Sequence, residues 1–204
     1  MNKRPLAITA SALALTALLA TFGATQPANA VPTPAPMSES NTMMGKGAAG
    51  DIAFAQMMIP HHQQAIQMSD IALKYAKSPQ LLKLAKQIKA AQNPEITTMR
   101  GWLRGWGAPI SPSANHSVSG GMHGTSMGST GMMSDAYMAK LAGARGAAFD
   151  TMWLQMMITH HQGAITSARQ VLKTTSNGLV QKLAKSIIAG QSTEIATMKQ
   201  LLAK

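Results

Sequence analysis

The strongest constraint on this chain is that it says the same thing twice. Asp51 to Leu103 aligns with Asp150 to Leu202 at a constant offset of 99, without a gap, and 24 of 53 positions are identical. Gln56, Met57, Met58, Ile59, His61, His62 and Gln63 recur as Gln155, Met156, Met157, Ile158, His160, His161 and Gln162. A second block, Lys83 to Lys86, recurs as Lys182 to Lys185, and Gln92, Glu95, Ile96 and Met99 recur as Gln191, Glu194, Ile195 and Met198. Such self-similarity marks one supersecondary unit used twice, each copy burying its apolar face against the other.

Within the first copy, Phe54, Met58, Ala65, Met68, Ala72 and Leu73 follow helical spacing. Ser78 and Pro79 then offer a cap and a first-turn proline to a second helix carrying Leu81, Leu84, Ile88, Ile96, Met99 and Leu103, which Gly105 and Gly107 to Pro109 end. In the second copy Asn177 and Gly178 stand at the turn. The expected fold is all-α: an antiparallel four-helix bundle made of two duplicated helical hairpins, residues 50–107 and 135–204, forming one domain. Pro60 and Pro94 fall inside helices and should bend them or mark irregular turns. Residues 108–134 read as a Gly/Ser linker carrying Met and His, too polar to build core, and residues 31–49 as a flexible segment containing Pro and Met.

The first thirty residues set the compartment. Lys3 and Arg4 precede an apolar run from Leu6 to Phe22, and Ala28-Asn29-Ala30 follows, so a secretory signal cleaved after Ala30 is expected, with no stable membrane insertion afterwards. The destination is periplasmic or secreted. The chain has no Cys, so in an oxidising compartment soft metal chemistry falls to Met and His. Removing Lys3 and Arg4 from the 18 basic residues, against 7 acidic, leaves +9. The lysines recur singly along helices, which reads as a solvated face and not as a nucleic-acid platform.

Beyond Ala30 the chain holds six His and sixteen Met against seven carboxylates. Imidazole and thioether select copper, Cu(I) ahead of Cu(II), whereas carboxylate suits harder ions. Spacing of four stacks Met57 with His61 and Met58 with His62, and repeats as Met156 with His160 and Met157 with His161. His61, Ala65 and Met68 share a stripe, but Ser167 stands where Met68 would recur. Consecutive His point about 100° apart on a helix, so the two of a pair cannot both face one small site. Gln92, Glu95 and Met99 share a face of the partner helix, as do Gln191, Glu194 and Met198, and a hairpin could bring it against the His pair. The candidate metal residues are therefore His61, His62, His160, His161, Met57, Met58, Met68, Met99, Met156, Met157, Met198, Glu95 and Glu194. Core packing competes as the explanation of each Met. His116, Met122, His123, Met127, Met132 and Met133 are candidates for looser capture in the linker.

Asp-x-x-Phe at Asp51, Met-x-x-x-His-His at Met57 and Gln-x-x-Glu-Ile-x-x-Met at Gln92 resemble the family known as domain of unknown function 305. The resemblance covers both copies and implies an exported bacterial protein with a ferritin-like bundle. Some members resemble periplasmic copper-binding proteins that aid copper resistance, and the resemblance implies that His61, His62, His160 and His161, with nearby Met and Glu, are the candidate metal residues. The second copy departs from the pattern at Trp153, in place of Phe, and at Ser167.

Three functions compete on these residues. The leading one is a copper-binding protein, not an enzyme, that sequesters or ferries the metal in the envelope, with another copper-handling protein as partner. A di-metal oxidase would need about four Glu and Glu-x-x-His motifs, and neither Glu95 nor Glu194 has a His three residues on. A metal-free interaction protein would use its basic face on an anionic envelope component.

Overall fold

The computed structural model describes residues 47–111 and 130–203. The signal segment, the Pro/Met segment up to Lys46 and most of the linker lie outside the described residues. Five helices follow in order: α1 (Ala49–Tyr75), α2 (Pro79–Gly105), α3 (Asp135–Gly143), α4 (Gly146–Val171) and α5 (Gly178–Leu202). The four long ones are the predicted pair of hairpins, α1 with α2 and α4 with α5, and they meet mainly across α1 and α4. The hairpin turns use the residues that the sequence advertises. Ser78 accepts from the backbone N–H of Leu81 with Pro79 next to it, and Asn177 accepts from those of Leu179 and Val180.

The hairpins are stitched to each other as well as packed. Backbone N–H groups of Lys77 and Ser78, in the first turn connection, donate to the Asp150 carboxylate of α4 at 3.2 and 3.0 Å. Trp153, where the first copy has Phe54, turns its indole N–H onto the Met68 carbonyl at 2.8 Å. The first contact ties the turn that follows α1, and the second the C-terminal half of α1 itself, to the N-terminal half of α4, so these helices run antiparallel.

Two apolar clusters fill the bundle, and each draws on both repeats. One gathers Met68, Leu81, Leu84, Ile88, Leu141, Phe149, Trp153, Met157 and Met198; the other gathers Phe54, Met58, Ile59, Met99, Trp102, Val180 and Ile187. They occupy opposite ends because each pairs one end of α1 with the opposite end of α4.

Pro60 and Pro94, expected to bend their helices or mark irregular turns, sit exposed inside α1 and α2, which continue through them, where water can reach the carbonyls that a proline leaves unbonded. One expectation needs correction. The linker is not all outside the core. Thr130 to Met133 form a strap across α1 and α4, and Ser134 then caps the additional helix α3. Gln64 clamps the strap through its amide, donating to the Met133 carbonyl at 2.8 Å and accepting from the Met133 N–H at 2.7 Å, while the Met133 side chain is buried in the first cluster. A methionine carries enough apolar surface to enter the core even from a Gly/Ser-rich segment.

The strap needs two glycines. Gly131 has φ +76°, and a Cβ there would meet the Thr159 carbonyl oxygen at 2.6 Å; a Cβ on Gly163 of α4 would lie 1.8 Å from the Thr130 carbonyl oxygen. Neither backbone atom can yield cheaply. Gly163→Ala should therefore unseat the strap and cost about 1–3 kcal/mol, as overpacking does. Gly101→Ala, at a helical position with open space around it, should hold stability or raise it by up to about 1 kcal/mol. Denaturant unfolding of both variants measures the contrast.

Candidate metal centre

Between the two apolar clusters, the middle turns of all four long helices contribute polar side chains. His61 and His62 come from α1, Gln92 and Glu95 from α2, His160 and His161 from α4, and Gln191 and Glu194 from α5. All four His and both Gln are buried. This layer exists because the repeat places its polar motif near the midpoint of each helix.

Helical geometry divides each His pair as the 100° separation requires. His62 turns to its own hairpin partner, its Nε2 lying 2.7 Å from Glu95 Oε2, and His161 does the same with Glu194 at 2.6 Å. A carboxylate can only accept, so Nε2 carries the proton. His61 and His160 turn instead to the interface between hairpins, where their rings lie 3.7 Å apart between centroids at 38°. His61 Nε2 donates to the Thr130 carbonyl of the strap at 3.1 Å. Neither ring nitrogen of His160 has a hydrogen-bond partner among the described residues.

The consequence is a set of four buried imidazoles whose Nδ1 atoms all lack a partner among the described residues. Burial holds His61 neutral, pushing its pKa from 6.5 down to about 3, with the neighbouring His62 adding to the effect. Burial likewise drives His160 well below its ordinary value, with His61 beside it as the next cause. A neutral imidazole with a bare nitrogen is the form that ligates a metal. Moreover, a ring whose other N–H is pinned by a carboxylate or a carbonyl has the orientation that metal-ligating histidines usually show. His61, His62 and His161 all meet that description.

Among the described residues no three His, Asp or Glu side chains converge on one point. The arrangement is one central His61–His160 pair flanked by two His–Glu dyads, and the soft donors in the clusters on either side are thioethers. Met58 and Met99 lie in the core cluster on one side of the layer, with Met57 partly buried against it, and Met68, Met156, Met157 and Met198 lie in the other. Met132 is half-buried, and Met133 is in the core instead of standing ready as a loose capture point. His116, Met122, His123 and Met127 are outside the described residues.

The direct contact of His61 with His160, the strap and Trp153's link to α1 were not read from the sequence. A signal for the strap was present, since Gly163 is a mid-helix glycine where the first copy has Gln64.

A family model for a domain of unknown function, DUF305, matches residues 51–202. The chain belongs to the DUF305 family. A solved DUF305 fragment from Deinococcus radiodurans is 28% identical at a TM-score of 0.66, covering 76% of this chain and 97% of its own. A Streptomyces coelicolor DUF305 protein predicted to be secreted is 32% identical at 0.66, covering 76% and 91%. CopM solved in a Cu(II)-bound form is 38% identical at 0.62, covering 75% and 95%, and its Cu(I)-bound form is 36% identical at 0.59, covering 74% and 94%. No curated protein matches the chain. The fold shared with these DUF305 relatives is the all-α bundle of two hairpins.

Because His61 and His160 have lower pKa values folded than unfolded, the unfolded chain binds more protons below pH 6.5. Stability of the metal-free DUF305 protein should therefore be insensitive to these groups above about pH 7. As the pH falls from 6.5 it should decline by about 1.4 kcal/mol per unit for each imidazole. Urea unfolding at pH 7.5, 6 and 5 measures the slope, and a His61→Leu/His160→Leu variant should flatten it.

Proposed function

We propose that this DUF305 protein is an exported copper-binding protein that sequesters or ferries copper in the cell envelope, with the metal held by His and Met side chains. The observation that carries the reading is the set of four buried imidazoles with bare Nδ1 atoms, two of them oriented by glutamates through Nε2. Leaving such nitrogens without a partner costs stability in the metal-free protein, about 1–3 kcal/mol for each unsatisfied polar group. A ligand would recover that loss. Imidazole together with the buried thioethers of Met58, Met99, Met157 and Met198 makes a donor set suited to Cu(I), and imidazole also serves Cu(II). CopM, solved with Cu(I), Cu(II) and silver, has the same bundle at 32–38% identity.

His61, His62, His160 and His161 are the proposed ligand donors, with Met57, Met58, Met68, Met99, Met156, Met157 and Met198, from the clusters on either side of the layer, as the proposed thioethers. Glu95 and Glu194 hold the outer imidazoles in orientation. Cleavage after Ala30 and residence in the periplasm or outside the cell complete the proposal. Glu95 and Glu194 each serve a single imidazole, whereas a di-metal oxidase centre in a bundle draws on about four Glu, so handling of the ion is favoured over redox catalysis.

Titration with Cu(I) under a competing chelator tests this. Tight binding should fall at least about a hundredfold when His61, His62, His160 and His161 are all replaced by Ala, and affinity unchanged by those substitutions would overturn the reading. Glu95→Gln with Glu194→Gln should weaken binding about 10–100-fold, the usual cost of losing the group that orients a ligating imidazole.

A further inference from the structure

The polar layer has a second mouth. Opposite the His61–His160 contact, α2 and α5 leave between them a cleft of about 100 Å³ lined by Ala91, Gln92, Glu95, Ser186, Ile187, Gly190, Gln191 and Glu194. Gln92 with Gln191 and Glu95 with Glu194 are repeat-equivalent pairs, so the cleft lies on the same approximate two-fold axis as the central His pair, but at its other end.

Three features of this cleft are unexplained by the imidazoles. Gln92 is 2% exposed and Gln191 4%, yet among the described residues neither the Oε1 nor the Nε2 of Gln92, nor the Oε1 of Gln191, has a hydrogen-bond partner. Each glutamate spends only Oε2 on its histidine, and its second oxygen accepts no hydrogen bond among the described residues. Finally, two carboxylates, their side chains 19% and 17% exposed, share one narrow space with no Lys or Arg in its lining. On a protein with an excess of basic residues, this is a local concentration of negative charge facing uncommitted amide oxygens.

We propose that the α2–α5 cleft is a second metal site, adjoining the imidazoles but built from different donor atoms, that takes a hard divalent cation of the Mg²⁺, Ca²⁺ and Mn²⁺ class. Its donors are all oxygen: Glu95 and Glu194 carboxylates and the carboxamide oxygens of Gln92 and Gln191. That set suits hard ions and offers nothing to Cu(I), since the imidazole nitrogens next to it are occupied in holding the carboxylates. The cleft has room for water beside an ion and opens to solvent, so the ion would keep part of its hydration shell, as Mg²⁺ and Mn²⁺ prefer. Divalent charge balances the two carboxylates across the cleft, which water alone does not.

Mn²⁺ is the probe, because its hydrated form has an EPR signal that disappears on binding. The purified full chain should capture one Mn²⁺, and excess Mg²⁺ or Ca²⁺ should return the free signal. Gln92→Leu with Gln191→Leu should weaken capture about tenfold or more, while Cu(I) affinity under the chelator stays at the wild-type value. Should that variant fail to fold by circular dichroism, Glu95→Gln with Glu194→Gln decides the matter through the same Mn²⁺ readout. A free Mn²⁺ signal undiminished by the wild-type protein overturns the proposal and means the cleft holds water only. Capture that both double variants retain, or that only the four His→Ala substitutions abolish, overturns it as well by placing the ion elsewhere. Because Mn²⁺ and Cu(I) are read separately, a protein that binds Mn²⁺ in the cleft and no copper would sink the copper reading and leave this one standing.

Discussion

A bundle of four helices could have been filled with apolar side chains from end to end, and the layer of imidazole, carboxylate and carboxamide groups at its midpoint is what this fold is organised around. Burying such groups costs free energy unless each finds a partner. Here His62 and His161 find glutamates and His61 finds a backbone carbonyl, while among the described residues the four Nδ1 atoms, His160 Nε2, the Gln92 amide and Gln191 Oε1 find none. The apolar clusters on either side offset that cost, and they also hold the layer in place: sliding α1 along α4 would carry Met58 or Met68 into the polar zone and His61 into the apolar one. The His61–His160 contact therefore fixes the register in which the two hairpins dock.

The adjacent histidines show how a dipeptide becomes two structural roles. One member of each pair reaches within its own hairpin and the other reaches across to the duplicate, because neighbouring positions on a helix diverge by about 100°. Intrahairpin dyads and an interhairpin pair are thus the same motif seen from two directions. Only the second requires both copies, so the centre at the axis is a property of the assembled bundle and not of either repeat.

Much of this could be seen in the sequence, and the reason is periodicity. Ser78 with Pro79 and Asn177 with Gly178 marked the turns, the heptad-like spacing of Phe54 to Leu73 marked the buried face, and the shared face of Gln92, Glu95 and Met99 pointed at the His pair. These are local rules, with ranges of a few residues. What stayed hidden depends on contacts between residues far apart in the chain: His61 stacking on His160, Trp153 reaching the Met68 carbonyl, Asp150 receiving the N–H groups before α2, and Met133 entering the core. Composition misled at Met133, because a Gly/Ser-rich stretch reads as uniformly solvated although Thr130 to Met133 near its end are held by Gln64 and two glycines. The exposure of Pro60 and Pro94 was hidden for a related reason: whether a proline within a helix faces water is not decided by spacing alone.

The strap also reveals something about why two repeats share one chain. Gln64 clamps it and Gly163 makes room for it, yet these are the same position in the two copies. A pair of identical hairpins associating as separate molecules would carry either glutamine at both places, blocking the seat, or glycine at both, losing the clamp. Fusion frees the two positions to diverge, and with that freedom one end of a symmetric axis becomes covered while the other stays open. The molecule thereby acquires a front and a back that its duplicated ancestry alone could not have given it.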